Sequence, residues 1–231
     1  MDILNPGNKG LKVQFLQRLL NKALARDGVE STMCSEDGHF GNLTYLAVKA
    51  FQTRHNLKSD GSVGPNTWSA LGFKYAKEHS RVIRFPQTTD TSCWSAAATQ
   101  ILGNQVVGPG LGTLDADGTL NPTLENVQAF ATGLGWTMLN FSPSADDLVR
   151  YLMQKPLWIG VTEQNSKHAV TFSAVYSDGD PEGDGTLVRI HDPWPVARGT
   201  IYGTFCDPLM IGDGSFAARG PALSIVVLIP Y

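Results

Sequence analysis

Cys93 stands in the sequence where thiol chemistry is favoured. It follows a short polar run, residues 88–92, and precedes a segment of strong helix formers that ends at Gly103. This pattern predicts a helix that begins at Cys93. The unpaired N–H groups and the dipole at a helix N-terminus favour a thiolate. The same pattern also fits a small buried cysteine that merely opens an amphipathic helix.

The predicted strands contain a candidate base and a candidate carboxylate that could act with such a thiol. From Pro156 onward, short β-rich runs separated by Gly, Asp and Pro predict an antiparallel sheet. His168 opens one run, and Asp192 closes the next just before a Pro-Trp-Pro turn. If these strands are antiparallel neighbours, His168 and Asp192 meet, so that the imidazole takes the thiol proton and the carboxylate orients the ring. His191 faces the other way and is predicted to lie on the surface.

The segment around the cysteine resembles a known nucleophile motif. Gln87, five residues and then Cys-Trp-Ser-Ala-Ala are similar to papain-like cysteine peptidases, and the forms HAV at His168 and DPWP at Asp192 resemble their bacterial branch, which includes secreted effector proteases. The resemblance covers about residues 83–229. It implies an α+β fold with helices first and an antiparallel sheet after. It also implies a Cys93–His168–Asp192 triad with the Gln87 side chain as oxyanion donor, although papain itself has Asn as its third member.

The elements between Cys93 and the sheet are predicted from breakers and apolar periodicity. The Gly- and Asp-rich stretch 108–122 predicts a loop that either shapes a cleft or merely connects. Helices are predicted from about 124 to 135 and from Ser144 to Gln154.

The first 75 residues predict a separate unit of three helices with two Asp-Gly turns of similar form, a weak internal duplication. The strings VQFLQRLLN, DGHFGNLTYLAVKAFQ and DGSVGPNTWSAL resemble, in order, the small peptidoglycan-binding domain of bacterial cell-wall enzymes. We therefore expect a peptidoglycan-binding helical domain over 1–75, a linker within 72–85 and a papain-like cysteine hydrolase domain over 76–231. Six apolar residues are predicted to form the helical core: Leu16, Leu20, Phe40, Val48, Phe51 and Trp68.

Composition and charge argue against several other functional classes of protein. The chain has 231 residues and a formal net charge of −3, which argues against a nucleic-acid binder or a basic membrane-surface protein. No apolar run is long enough for a transmembrane helix, and the first residues lack a signal-peptide pattern. Export would then use a route that the sequence does not display.

The remaining cysteines and histidines suggest no metal or cofactor. Cys34, Cys93 and Cys206 include no close pair, so at least one thiol stays free, and a Cys34–Cys206 bridge is left open. Three histidines without spaced partners are predicted to be solvated or turn residues: His39, His55 and His79. A zinc site built from Cys93, His168 and Asp192 is an alternative, but a helix-start cysteine with an oxyanion glutamine favours acyl transfer.

These observations predict a bacterial cysteine peptidase, secreted or delivered by a specialised secretion system as an effector or toxin. The expected partners are a protein or peptide substrate, peptidoglycan and a cognate inhibitor protein. Two alternatives stay open: an amidase or endopeptidase that cuts the stem peptides of the cell wall, and an inactive papain-like binding scaffold.

Overall fold

The computed structural model describes residues 1, 3–103, 105–139, 143–163, 166–181, 183, 185–194, 200–204 and 223–231. Helices dominate the first two thirds and strands the last third, as the sequence predicts. The helices are α1 (Leu11–Arg26), α2 (Asn42–Arg54), α3 (Pro65–Ala70), α4 (Cys93–Leu102), α5 (Leu124–Gly133) and α6 (Ala145–Gln154). The strands are β1 (Tyr75–Glu78), β2 (Thr137–Met138), β3 (Leu157–Glu163), β4 (Ser166–Ser177), β5 (Thr186–His191), β6 (Thr200–Thr204) and β7 (Leu223–Ile229).

Two buried glutamine side chains hold the Asp-Gly turns of the N-terminal helices. Gln17 Nε2 donates to Asp37 Oδ1, to the His39 carbonyl and to Thr44 Oγ1, at 2.9, 3.0 and 2.9 Å. Its Oε1 accepts from the Gly38 N–H at 2.8 Å. The Gln17 amide thus forms hydrogen bonds with polar atoms of a tight turn that would otherwise be buried without partners.

The second turn repeats the first, residue for residue. Gln52 Nε2 donates to Asp60 Oδ1, the Ser62 carbonyl and Thr67 Oγ1, while its Oε1 accepts from the Gly61 N–H. The weak duplication in the sequence is therefore a true structural repeat. The six apolar residues that the sequence predicts as the core of this part are all buried: Leu16, Leu20, Phe40, Val48, Phe51 and Trp68.

The described strands form one antiparallel sheet. Its order is β2-β7-β3-β4-β5-β6, and β1 pairs with the second half of β4 beyond the end of β3. Helices α4 and α5 pack on one face, around Trp158, Ala169 and Leu228. Helix α6 packs on the other, against Ile159 and Val170. Because both faces are covered, most strand residues are buried on either side of the pleat.

The predicted linker contains a strand. Tyr75–Glu78 forms β1 and pairs with residues 174–177 of β4. Its charged residues stay exposed because β1 is short and lies at an edge, which is why the sequence read as a connection.

The N-terminal helices and the sheet share one apolar core. Ala174, Tyr176 and Leu187 belong to the same buried cluster as the helices of residues 1–71. Phe73 joins the two parts, with its ring 5.7 Å from that of Trp68 and 5.9 Å from that of Tyr176. Lys22 adds ion pairs to Asp178 and Asp180, at 3.5 and 3.3 Å.

The elements predicted between Cys93 and the sheet are confirmed. Helix α4 ends at Gly103, whose φ of 75° is the left-handed conformation typical of a helix C-terminus. Helix α6 follows Ser144, which forms a reciprocal capping box with Asp147. Residues 105–123 form no helix or strand among the described residues, as a loop requires.

Candidate active site

Cys93 is the first residue of α4, as predicted, and its side chain is buried. Ser92 precedes it but does not cap the helix. The Ser92 hydroxyl instead accepts from the Thr88 and Thr89 N–H groups, at 3.2 and 3.0 Å, and donates to the Thr89 carbonyl. The first N–H groups of α4 are therefore left for a negative charge at Cys93.

His168 and Asp192 meet as the antiparallel pairing of β4 and β5 predicts. His168 Nε2 lies 2.7 Å from Asp192 Oδ1, and both side chains are more than nine-tenths buried. Cys93 and His168 line the same cleft, and the negative charge of the Cys93 sulfur acts on the His168 ring. Since Nε2 is engaged by the carboxylate, Nδ1 is the ring nitrogen left for the sulfur.

The two partners set the charge of the imidazole. Burial alone lowers the pKa of His168, but the hydrogen bonds and negative charges of Asp192 and Cys93 outweigh burial and raise this pKa to about 9. The ring is then an imidazolium at neutral pH. This cation would lie between the Asp192 carboxylate and the Cys93 sulfur.

Asp192 is held by the turn that follows it and by the chain before Cys93. Its Oδ1 also accepts from the Trp194 N–H at 2.8 Å, the Asx-type turn expected of Asp before Pro. Its carbonyl accepts from Arg84 Nε at 3.2 Å. The Pro193 carbonyl accepts from the Gln87 N–H at 3.2 Å. Residues 84–87 thus tie the carboxylate strand to the segment that carries the cysteine.

Cys93 and His168 line a small open cleft. The rest of its wall is mainly apolar and comes from α4, the 108–122 loop, α5, β3, β4 and β7. The loop is fixed over the start of α4 because Thr91 Oγ1 donates to the Asp117 carbonyl and Trp94 Nε1 to the Gly118 carbonyl, at 3.0 and 3.3 Å. The main apolar residues that line the cleft are Trp94, Leu120, Pro122, Val127, Trp158, Val161 and Val226.

Trp158 forms the base of this cleft and ties α4 to the sheet. Its Nε1 donates to the Trp94 carbonyl at 3.0 Å. Its ring covers Gly160, where an added Cβ would lie only 2.7 Å from the indole. Thr171 Oγ1 adds a second bond to the helix, to the Ala97 carbonyl at 2.8 Å. Neither residue stood out in the sequence, because aromatic and Thr residues are common in strands.

Gln87 lies near the site, but its side-chain amide does not face the Cys93 cleft as the resemblance implies. The side chain is 4% exposed, and its Nε2 donates to the Thr89 carbonyl at 2.8 Å. Gln87 is absent from the described residues that line the Cys93 cleft. A role as oxyanion donor therefore uses the second Nε2 hydrogen or a rotation of the amide.

The prediction for His191 is wrong. Its side chain is 5% exposed, because β5 lies between β4 and β6 in a sheet covered on both faces. Burial, together with the positive charges of Arg189 and Arg84, lowers the pKa of His191 to about 4. This histidine is therefore neutral at physiological pH.

The other candidates remain apart from the site. Cys34 is a buried free thiol, Cys93 is also free, and Cys206 lies outside the described residues. His55 and His79 are half-buried and bonded, to Asp27 Oδ2 at 3.1 Å and to the Leu152 carbonyl at 2.7 Å. Within the described ranges, no group of three or more His, Cys, Asp and Glu side chains is arranged to hold a metal ion.

Comparisons with known proteins identify the N-terminal part. Residues 9–71 match the family described as a putative peptidoglycan binding domain. This part is a domain of the peptidoglycan-binding type. An uncharacterized protein in the bpoA1 3′ region of Kitasatospora aureofaciens is 40% identical over 72 residues, which are 31% of this chain and 57% of that relative. The chain thus spans less than two thirds of this relative.

One solved structure, a Burkholderia AP3 phage endolysin, is 38% identical over 30% of this chain and 24% of its own, with a TM-score of 0.27. The peptidoglycan-binding domain supports a cell-wall or extracellular role. None of the described helices has the length and hydrophobicity that a membrane span requires.

Proposed function

We propose that the protein is a cysteine hydrolase that cleaves amide bonds with Cys93 as nucleophile. One observation carries this proposal: His168 bonds to Asp192 at 2.7 Å, and His168 and Cys93 line the same open cleft. This arrangement supports a candidate nucleophile, a candidate base and an orienting carboxylate in the order that acyl transfer requires.

In the first step, the Cys93 thiolate attacks the carbonyl carbon of the scissile amide. The carbonyl oxygen becomes an oxyanion, and the free N–H groups at the start of α4 are oriented to stabilise it. His168, protonated at neutral pH, gives its Nδ1 proton to the leaving amine. The C–N bond breaks, and a thioester to Cys93 remains.

In the second step, water hydrolyses the thioester. Neutral His168 takes a proton from water, hydroxide character develops on the attacking oxygen, and the C–S bond breaks to release the acid and the thiolate. Asp192 keeps the imidazole in one orientation and stabilises its charged form in both steps. Gln87 is proposed as a second oxyanion donor.

The cleft favours a peptide substrate with an apolar side chain beside the scissile bond. Two indole rings, Trp94 and Trp158, together with Leu120 and Val127, offer apolar surface beside the sulfur. Each CH₂ group of such a side chain that is buried there stabilises the complex by about 0.8 kcal/mol. A peptidase acting on proteins is therefore our first candidate.

A hydrolase of peptidoglycan stem peptides is the second candidate, and the N-terminal domain favours it. Residues 9–71 match a peptidoglycan-binding family, so a wall polymer would be held near the cleft. Delivery as an effector or toxin, a papain-like fold for residues 76–231 and a cognate inhibitor remain predictions from the sequence.

Product analysis separates the two candidates. The wild type and Cys93→Ala are incubated separately with purified peptidoglycan and with a denatured protein mixture, and products are identified by mass spectrometry. Peptide fragments that require Cys93 support the first candidate, and wall fragments that require Cys93 support the second.

An inactive scaffold predicts no Cys93-dependent product from either substrate. It also predicts that Cys93 reacts with iodoacetamide no faster than a model thiol near neutral pH. Cys34→Ala is the matched control for labelling, since it removes the other described thiol, which is buried in the N-terminal domain.

A further inference from the structure

A basic cleft lies at the far end of α4 from Cys93. Residues after β1, the end of α4, the turn between α6 and β3 and the end of β7 line it. Since α4 rises about 1.5 Å per residue, its last residue is about 14 Å from Cys93. The cleft is therefore separate from the reacting atoms.

Three exposed cations converge on this cleft without a carboxylate partner. They are Lys77, Arg81 and Lys155, and none of them forms an ion pair with an acidic side chain that the structure describes. Glu78 also borders the cleft, but its carboxylate is engaged by Arg189 at 3.2 Å and by the Tyr176 hydroxyl. The cleft thus keeps an excess of positive charge.

The pKa of the histidine in the cleft is lowered in part by the same positive charges. His79 is half-buried, and its ring bonds to the Leu152 carbonyl at the end of α6. Burial lowers the pKa of His79 first, and the positive charges of Lys77, Arg189 and Lys155 lower it further. An anion entering the cleft would relieve this repulsion.

The cleft also offers apolar surface. The side chain of Leu102 is 42% exposed and the ring of Tyr231 is 86% exposed, and both border the cations. The combination suits an anionic group attached to a larger organic framework better than an isolated inorganic ion.

We propose that this basic cleft binds carboxylate groups of peptidoglycan as a second wall contact beside the N-terminal domain. Stem peptides carry free carboxylates at close intervals along a polymer. Two contacts on one chain bind such a polymer more tightly than either contact alone, because the second binding event is intramolecular. The proposal rests on the peptidoglycan-binding domain and is independent of the chemistry of Cys93.

The test is co-sedimentation of the full chain with purified peptidoglycan. All proteins carry Cys93→Ala, so that the polymer stays intact. The cleft variant is Lys77→Gln with Arg81→Gln. The control variant, Lys74→Gln with Arg150→Gln, removes the same residue types and the same net charge elsewhere on the surface. The altered side chains are surface groups, and equal melting temperatures confirm that both variants fold.

We expect the cleft variant to bind about 3–10-fold more weakly at an ionic strength of about 10 mM, with a smaller difference at about 150 mM. The control variant should bind within about 1.5-fold of its parent. Conversion of the polymer carboxylates to amides should abolish the difference between cleft variant and parent.

Equal weakening in both variants would show that only net charge matters and would overturn the proposal. So would unchanged binding of the cleft variant, or a difference that persists on the amidated polymer. Because no cleavage is measured, these results do not depend on whether Cys93 is a nucleophile.

Discussion

Asp192 Oδ1 accepts two hydrogen bonds at once, from His168 Nε2 at 2.7 Å and from the Trp194 N–H at 2.8 Å. The second bond fixes the carboxylate on its own turn, and the first then fixes the plane of the imidazole. The orientation of His168 toward Cys93 therefore depends on the backbone of residues 192–194. In the proposed mechanism, Asp192 is a positioning group that also stabilises the imidazolium.

Replacement of Asp192 by Asn is expected to lower kcat for the proposed hydrolysis by about tenfold, because a neutral amide accepts the ring hydrogen bond but stabilises the imidazolium less than a carboxylate does. Fitted kinetics on the substrate found by product analysis would measure the loss. Asp180→Asn is the control, since Asp180 lies at the Lys22 contact. A kcat within about twofold of the wild type would exclude the triad role.

The alkaline limit of activity is expected near pH 9. His168 must carry a proton to give to the leaving amine, and its pKa is raised to about 9, so activity should fall as pH rises through that value. Loss of Asp192 removes a cause of the elevation, so in Asp192→Asn this limb should move to lower pH. A pH profile of kcat/KM from pH 5 to 10 measures both. An unmoved limb in the variant would contradict this assignment.

The stability of the fold should decrease as the pH falls, because His191 takes up a proton more readily in the unfolded chain. Its pKa is about 4 in the folded chain and about 6.5 when unfolded, so below pH 6.5 the unfolded chain binds more protons and is favoured. The loss from this residue between pH 7.5 and 5 is about 2 kcal/mol. Urea unfolding at both pH values should show a smaller loss for His191→Gln than for the wild type. An identical loss in both proteins would show that His191 titrates normally.

Gly160→Ala should damage the cleft. The added Cβ would lie 2.7 Å from the Trp158 ring, so the indole must move and its bond to the Trp94 carbonyl at the start of α4 is strained. We expect about 1–3 kcal/mol of destabilisation together with slower alkylation of Cys93. Gly108→Ala is the control, because a Cβ there meets nothing within 4 Å. Equal effects of the two substitutions would show that Trp158 accommodates the methyl group.

The sequence was informative where one residue type and its neighbours decide the local structure. The helix that begins at Cys93, its end at Gly103 and the capped start of α6 follow from short-range rules. The meeting of His168 with Asp192 required only that consecutive strands be antiparallel.

Longer-range features could not be predicted in this way. Gln17 clamps a turn that lies 20 residues away, and a glutamine in a helix gives no local sign of such a bond. Period-two alternation assigned His191 to one face of β5 but could not show that both faces are covered. The short β1 read as a linker because an exposed edge strand resembles a polar connection.

Phe73 packs between Trp68 of the peptidoglycan-binding domain and Tyr176 of the sheet, and this contact limits how the two parts can work together. A binding domain on a flexible tether lets an enzyme search every bond within the length of the tether. Here a shared apolar core joins the two parts, so that a molecule bound to the wall through its N-terminal domain would present Cys93 within a restricted range of distances and angles. The distance between the binding domain and Cys93 would then select, along the bound polymer, the bonds whose spacing from the binding point matches that distance.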